Sequence, residues 1–187
     1  MHITPTSIAG VHLINVARIA DERGYFARTF CRHEFAAAGL DPVVVQCSTA
    51  HTHRRGTVRG MHFQLPPAAE VKVVRCVRGA VYDVAVDLRP GSATFCHWFG
   101  VVLSADNGAM LYVPKGCAHG MQSLADDVDV VYQMSDFYTP ELARGVRWND
   151  PRIAVRWPLR VTAASARDMN YPDLDLDLVA PLSVFGR

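Results

Sequence analysis

The 187-residue chain lacks any apolar run near the 18 residues that a membrane-crossing helix needs, so no membrane span is expected. Its first two dozen residues hold no basic stretch followed by a long apolar one, so no secretory leader is read there. An excess of one charge is also missing. Nineteen Lys and Arg stand against 18 Asp and Glu, a net +1 that gives no ground for a nucleic-acid or anionic-membrane partner. Lysine is scarce, with only Lys72 and Lys115 beside 17 arginines. Codon usage accounts for most such biases, but a guanidinium also matches phosphate oxygens with two parallel hydrogen bonds, so position has to decide. Cys31, Cys47, Cys76, Cys96 and Cys117 include no CxxC pair. A dispersed, odd set in a chain long enough to bury its own core reads as reduced thiols, and a cytoplasmic location is expected. No repeat, low-complexity tract or linker divides the chain. A single domain over 1–187 is expected, with 171–187 as a Pro- and Asp-rich tail, either packed or mobile.

What is present is a series of short strands punctuated by Gly, Pro and Asp. VYDVAVDLR (81–89) alternates with period two, placing Tyr82, Val84, Val86 and Leu88 on one face and Asp83, Asp87 and Arg89 on the other. EVKVVRCVRG, ending at Gly79, reads as the first arm of a hairpin with that strand. Asp83 then faces Lys72 only if the unknown register allows it. Further apolar segments lie at 94–103, 109–114, 117–124 and 128–135. Close spacing with almost no helical period predicts an all-β antiparallel sandwich or barrel. Two short helices are expected: RHEFAAAG (32–39), with Gly39 after its end, and TPELARG, with Thr139 as N-cap, Pro140 in the first turn and Gly145 beyond.

Chemistry concentrates in two segments, Gly56–Gly79 and Gly108–Ser123. They resemble the paired motifs of the cupin superfamily, the double-sheet jelly-roll barrels. Metal-binding cupins carry His-x-His and Glu in the first motif and His in the second. This chain has His62, Gln64, Glu70 and His119 in those neighbourhoods, with Glu70 one residue late and Ser123 where Asn is usual. Such a set offers a mixed N/O site, weakened because an amide oxygen is a poorer ligand than imidazole. His51 and His53, in HTHRRG, imitate a metal-ligand pair, for which a polar loop is the plainer explanation.

A closer resemblance runs through RGMHFQ, KVVRCVRGAVYDVAVDLRPGSATF, LYVPKGCAHGMQSL, VVYQMSDFYTP, RWNDP, RWP and SARD, with DERGYFARTF near the N-terminus. In that order, over roughly residues 20 to 175, the chain resembles the dTDP-4-dehydrorhamnose 3,5-epimerase family. The resemblance implies a cupin-type jelly-roll barrel with a few short peripheral helices. It implies an isomerase, without metal or cofactor, that inverts C3 and/or C5 of a nucleotide-linked 4-keto-6-deoxy sugar. The partners it implies are a nucleotide-diphospho-sugar substrate and a second copy of the chain, its N-terminal strand crossing to the partner sheet.

By the same resemblance His62 is the general base, Asp168 its carboxylate partner, Tyr132 the acid on the opposite face and Lys72 the cation near the keto oxygen. Arg59 and His119 match further pocket contacts, Arg23 a diphosphate contact and Tyr138 the ring that stacks on the nucleotide base. Gln46, Ser48, Arg28 and Arg167 are carried over as substrate contacts. At three places the pattern departs. Ser48 and Ala50 replace the Asn and Ser of QxNxS, Arg28 stands where many members have Glu, and Ala143 lies where another Glu is frequent. These departures bear on the nucleotide and sugar more than on proton transfer. The competing readings are a metal-binding cupin and a non-catalytic sugar-nucleotide-binding module.

Overall fold

Short alternating segments each bury one row of side chains, and two sheets laid face to face cover such rows. A computed structural model describes residues 1–186; Arg187, the last residue of the expected tail, lies outside the described residues. The strands begin with β1 (His2–Pro5), β2 (His12–Asn15), β3 (Arg18–Asp21), β4 (Gly24–Ala27), β5 (Gln46–Thr52), β6 (Val58–Gln64) and β7 (Lys72–Arg78). They continue with β8 (Ala80–Asp87), β9 (Trp98–Ser104), β10 (Met110–Val113), β11 (Cys117–Ser123), β12 (Val128–Met134) and β13 (Ala143–Gly145). One sheet runs β1-β2-β10-β7-β12-β5 and the other β13-β6-β11-β8-β9, while β3 and β4 pair only with each other. All pairings between these strands are antiparallel. The fold is the expected cupin-type jelly-roll barrel.

Val74, Cys76, Leu111, Val128 and Val130 from the first sheet meet Val81, Ala85, Leu103 and Met121 from the second in one buried cluster. Because inward residues recur every second position, the rows that supply Val74 and Cys76 on β7 and Val128 and Val130 on β12 continue to Lys72 and Tyr132. There the apolar filling stops and a cleft opens. On the outer face of the second sheet, Met61, Phe63, Val84, Val86 and Leu88 pack against Val146, Ile153, Val179 and Leu182. The C-terminal tail is therefore packed on the barrel, through its buried Val179 and Leu182.

Helix α1 (Arg32–Ala37) forms as expected. Gly39, at φ +72°, ends it: its N–H donates to Ala36 O, and that of Leu40 donates to Phe35 O. Phe35 and Leu40 are thereby turned together onto the first sheet, beside Ile14, Val73 and Tyr112. Two further helices are short, α2 (Ala166–Met169) and α3 (Leu176–Val179), the latter followed by a 3₁₀ turn over Ala180–Phe185.

Three expectations are corrected. TPELARG is not a helix: one turn after Thr139 leads straight into β13, where Ala143, Arg144 and Gly145 pair with Gln64, Phe63 and His62. Pairing with the open edge of β6 satisfies backbone groups of both strands, which outweighs the local helix signals. β7 and β8 do not form a hairpin; they lie in different sheets, and the chain crosses between them at Gly79. Gly79 has φ +72°, and a Cβ there would come within 2.9 Å of Val128, so this corner needs glycine as much as a hairpin turn does. Residues 94–97 belong to a turn, with the strand starting only at Trp98.

One irregularity positions the chemistry. Between β6 and β11 the register slips: His62 faces His119, but Arg59 faces Met121, so Gly60 and Met61 on one strand stand against Gly120 alone on the other. Such a bulge re-aims side chains, and Arg59 and His62 both reach the cleft despite their odd spacing. Gly60, inside the bulge, has φ +129°, and an added Cβ would lie 2.6 Å from Gly120 Cα and 2.9 Å from His119 O. Gly60→Ala is therefore expected to cost about 3 kcal/mol, from overpacking plus a disallowed backbone angle. Urea unfolding monitored by circular dichroism measures that loss directly.

Candidate active site

His62 points into the barrel from β6, and Asp168 reaches it from α2. Ser165 caps that helix by accepting from the Asp168 N–H at 3.0 Å, which sets the carboxylate in place. His62 Nε2 and Asp168 Oδ1 are 2.6 Å apart, and Gly60 N–H donates to Asp168 Oδ2 at 3.4 Å. The Asp168 side chain is only 5% exposed, whereas His62 is 41% exposed toward the cleft. Burial by itself raises the Asp168 pKa, but hydrogen bonds from His62, Ser165 and Gly60 outweigh it and hold the carboxyl below its ordinary range. A carboxylate on Nε2 keeps the ring proton there and leaves the Nδ1 lone pair for substrate.

Tyr171 packs edge-on against the His62 ring at 5.8 Å between centroids. It can do so because Gly145, opposite His62 in β13, has no side chain; a Cβ there would lie 2.4 Å from the Tyr171 ring. Tyr171 was missed by the sequence reading, since nothing in MNYPDL marks an aromatic partner for His62, 109 residues earlier.

Lys72 enters from β7 and forms an ion pair with Glu70, which also accepts from Gln64 Nε2 at 2.7 Å. Tyr132 stands on the neighbouring β12. Burial pushes its hydroxyl well above the usual phenol range, with the Asp83 carboxylate adding to the shift and Arg59 opposing it, so the group stays protonated at neutral pH. His119 packs edge-on against Tyr132, centroids 5.8 Å apart, and its Nε2 lies 2.8 Å from Asp83 Oδ1. Asp83 is fully buried; desolvation raises its pKa and His119 counters in part. The partner of Asp83 is thus His119 and not Lys72, because β8 sits beside β11 and not beside β7.

These side chains line one cleft. One compartment, about 300 Å³, is bounded by Arg59, His62, Lys72, His119, Tyr132 and Asp168. Adjoining spaces of about 200 and 170 Å³ are lined further by Arg144, Arg167, Gln46 and Tyr138. Arg59 is held by Thr52 Oγ1 at 3.0 Å and His51 O at 2.7 Å. Tyr138 is 54% exposed at the mouth, its N–H donating to Gln46 Oε1 and its hydroxyl accepting from Arg167. Ser48 pairs with Tyr132 across the inward-facing row but is exposed at the rim. Arg23 and Arg28 are not in this cleft. Arg23 pairs with Asp21 at the tip of the β3–β4 hairpin, and Arg28 pairs with Glu34 of α1.

The mixed metal set does not come together: among the described residues, His62, Glu70 and His119 do not bring their potential ligand atoms within reach of one ion. His62 is bonded to Asp168 and His119 to Asp83. Gln64 donates to Ala68 O, Glu70 and Phe137 O while its Oε1 accepts from Thr139 N–H. Gln64 thus turns its NH₂, not its oxygen, toward Glu70.

The lowered pKa of Asp168 sets a sign. Its contribution to stability is complete above the unfolded carboxyl value of about 4 and is lost as pH falls through the lower, folded value. Asp168→Asn should be less stable than the parent at pH 7, with the two urea midpoints converging as the solution is acidified below about pH 4.

Comparison with known proteins places this arrangement. A family model described as dTDP-4-dehydrorhamnose 3,5-epimerase matches residues 5–175. A relative of that name from Sinorhizobium fredii is 43% identical, over 93% of this chain and 90% of its own length. Among solved structures, NovW is described as a 4-keto-6-deoxy sugar epimerase from the novobiocin gene cluster of Streptomyces spheroides. It superposes with a TM-score of 0.91 at 36% identity, covering 97% of this chain and 92% of that one. The dTDP-4-dehydrorhamnose 3,5-epimerase of Bacillus anthracis, solved with TDP and PPi bound, superposes with a TM-score of 0.89 at 36% identity, over 92% and 99% of the two chains.

Proposed function

The chain belongs to the dTDP-4-dehydrorhamnose 3,5-epimerase family and is an isomerase of 4-keto-6-deoxy sugars, and from that premise we propose that His62, Lys72, Tyr132 and Asp168 carry the reaction on a dTDP-linked sugar. The observation that carries the assignment is the His62–Asp168 dyad opening onto a cleft shared with Lys72 and Tyr132. A C–H beside the C4 ketone is too weak an acid to ionise unaided at neutral pH. His62 Nδ1 takes that proton, and the electron pair moves into the C4 oxygen as an enolate. The Lys72 ammonium stabilises the oxyanion, and Tyr132 delivers its hydroxyl proton to the opposite face of the carbon. Solvent then reprotonates Tyr132 and relieves His62 of its proton. Repeating the cycle on the other side of the ketone inverts both C3 and C5.

Arg59, Arg144 and Arg167 line the path from the reacting end to the mouth, which suits a diphosphate. Tyr138 at the rim, with Gln46 holding its backbone, suits a nucleotide base. The β3–β4 hairpin exposes Ile19 and Phe26, 71% and 69% accessible, and two strands alone make no core. A second copy of the chain is the occupant this reading gives that surface, with Arg23 and Arg28 contributing beyond their own cleft. Among the described residues no helix is long and apolar enough to cross a membrane. Residues 1–187 act as one unit in this account.

Tyr132→Phe tests the division of labour. With no acid on the far face, protonated His62, which is accessible to solvent, exchanges its proton for deuterium and returns it to the face it came from. The expected result in D₂O is label at carbon with retained configuration, while inverted product falls by about 10²-fold or more. Unchanged inversion by the variant, read from the ring coupling constants, removes Tyr132 from the mechanism.

A further inference from the structure

We propose that His51, His53 and Asp127 form a binding site for one divalent transition-metal ion of the Zn²⁺ type, on the outside of the barrel and separate from the cleft. His51 lies near the end of β5 and His53 just beyond it, and their rings meet with centroids 4.6 Å apart. Gln46 and Ala50, on the alternate row of that strand, line the cleft, which puts His51 and His53 on the opposite side. Asp129 of β12 lies directly across from His51, and Asp127, in the turn just before β12, brings its Oδ1 to 3.4 Å from His51 Nε2 and 3.5 Å from His53 Nδ1. The Asp127 N–H donates to His53 O at 3.1 Å, which pins the turn before β12 against the end of β5.

The geometry is what points to an ion. His51 Nε2, His53 Nδ1 and Asp127 Oδ1 form a triangle with sides of 3.1, 3.4 and 3.5 Å. Tetrahedral Zn²⁺ with bonds near 2.1 Å requires neighbouring ligand atoms to lie about 3.4 Å apart. Three atoms on three side chains already stand at that spacing. Among the described residues, no other group of three or more His, Cys, Asp or Glu side chains brings potential ligand atoms this close.

The protonation pattern fits as well. His51 Nδ1 is 2.6 Å from Asp129 Oδ1, so its proton is held on that nitrogen and the Nε2 lone pair faces the triangle. A carboxylate behind a ligating imidazole is the arrangement that orients metal-bound histidines and raises their basicity. Two imidazoles and one carboxylate favour Zn²⁺ and its first-row neighbours over Ca²⁺ or Mg²⁺, which prefer all-oxygen shells. Three protein ligands leave the fourth position to water or to a group from another molecule. Asp127 and Asp129 together balance the charge of a divalent ion.

The test is calorimetric titration of the chelator-treated full chain with ZnCl₂, backed by the visible spectrum of the Co²⁺ form. The site predicts one saturable equivalent and the intense d–d bands of tetrahedral cobalt. His53→Gln and Asp127→Asn should each abolish that equivalent, while Asp129→Asn, which touches no metal, should weaken it about 10–100-fold. Unaltered circular dichroism and sugar turnover in His53→Gln would show that the loss is local. Absence of a saturable equivalent, or one that persists in His53→Gln, overturns the proposal. Neither result depends on the identity of the sugar substrate.

Discussion

His62→Ala is expected to lower turnover by about 10²–10⁴-fold and to leave the substrate C–H bonds unlabelled in D₂O. The size of the effect follows from what the ring alone supplies. In the proposed mechanism its Nδ1 is the basic atom, while Asp168, 2.6 Å from Nε2, fixes that nitrogen as donor. Asp168 itself cannot take over, because its oxygens are buried and already accept from Gly60 and His62, and its pKa is held low. The loss should fall on kcat more than on KM, since the ring meets the reacting carbon and not the diphosphate. Removing the imidazole also leaves a buried carboxylate short of a partner, so a thermal melt must accompany the assay. A folded variant that keeps more than a tenth of the parental rate places the base elsewhere.

The second large effect is on Lys72. Lys72→Met keeps the length of the side chain and removes the cation, and turnover should drop by about 10²–10³-fold, the scale seen when one oxyanion-stabilising group is lost. Part of that drop comes from Glu70. In the parent its charge is matched by Lys72, whereas in the variant a carboxylate bonded only to Gln64 would face the developing enolate. The double variant Lys72→Met/Glu70→Gln should therefore recover some activity relative to Lys72→Met alone. That non-additivity distinguishes an electrostatic role from a merely structural one. Equal rates for the single and double variants would mean that Glu70 is too far from the reacting oxygen to matter.

Much of this could be read before any coordinates. The strands at 110–113, 117–123 and 128–134 follow from short apolar segments, and α1 from a helix-forming run closed by Gly39. His62, Lys72, Tyr132 and Asp168 stand out through their motifs, and the fold brings all four to one cleft. What was not legible depended on partners distant in sequence. Gly79 reads equally well as a hairpin turn or as a corner between sheets, because both need a positive φ. Asp83 was left with Lys72 as its nearest candidate, when the strand order gives it His119. TPELARG has a helix composition, but the unpaired edge of β6 claims its last residues as a strand. Glu70 looked like a displaced metal ligand and is the counter-ion of Lys72. HTHRRG looked like a polar loop, yet His51 and Thr52 end β5, and His51 stands opposite Asp129, a partner that only the register reveals. Arg23 and Arg28 carry motif positions that one chain does not bring to its own cleft.

The most direct measurement is proton NMR of dTDP-4-keto-6-deoxyglucose incubated in D₂O with the native protein and with His62→Ala. The account predicts deuterium at both C3 and C5 with the native protein and at neither carbon with the variant. Labelling that is as fast with His62→Ala as with the native protein, or no labelling by the native protein at either carbon, contradicts it.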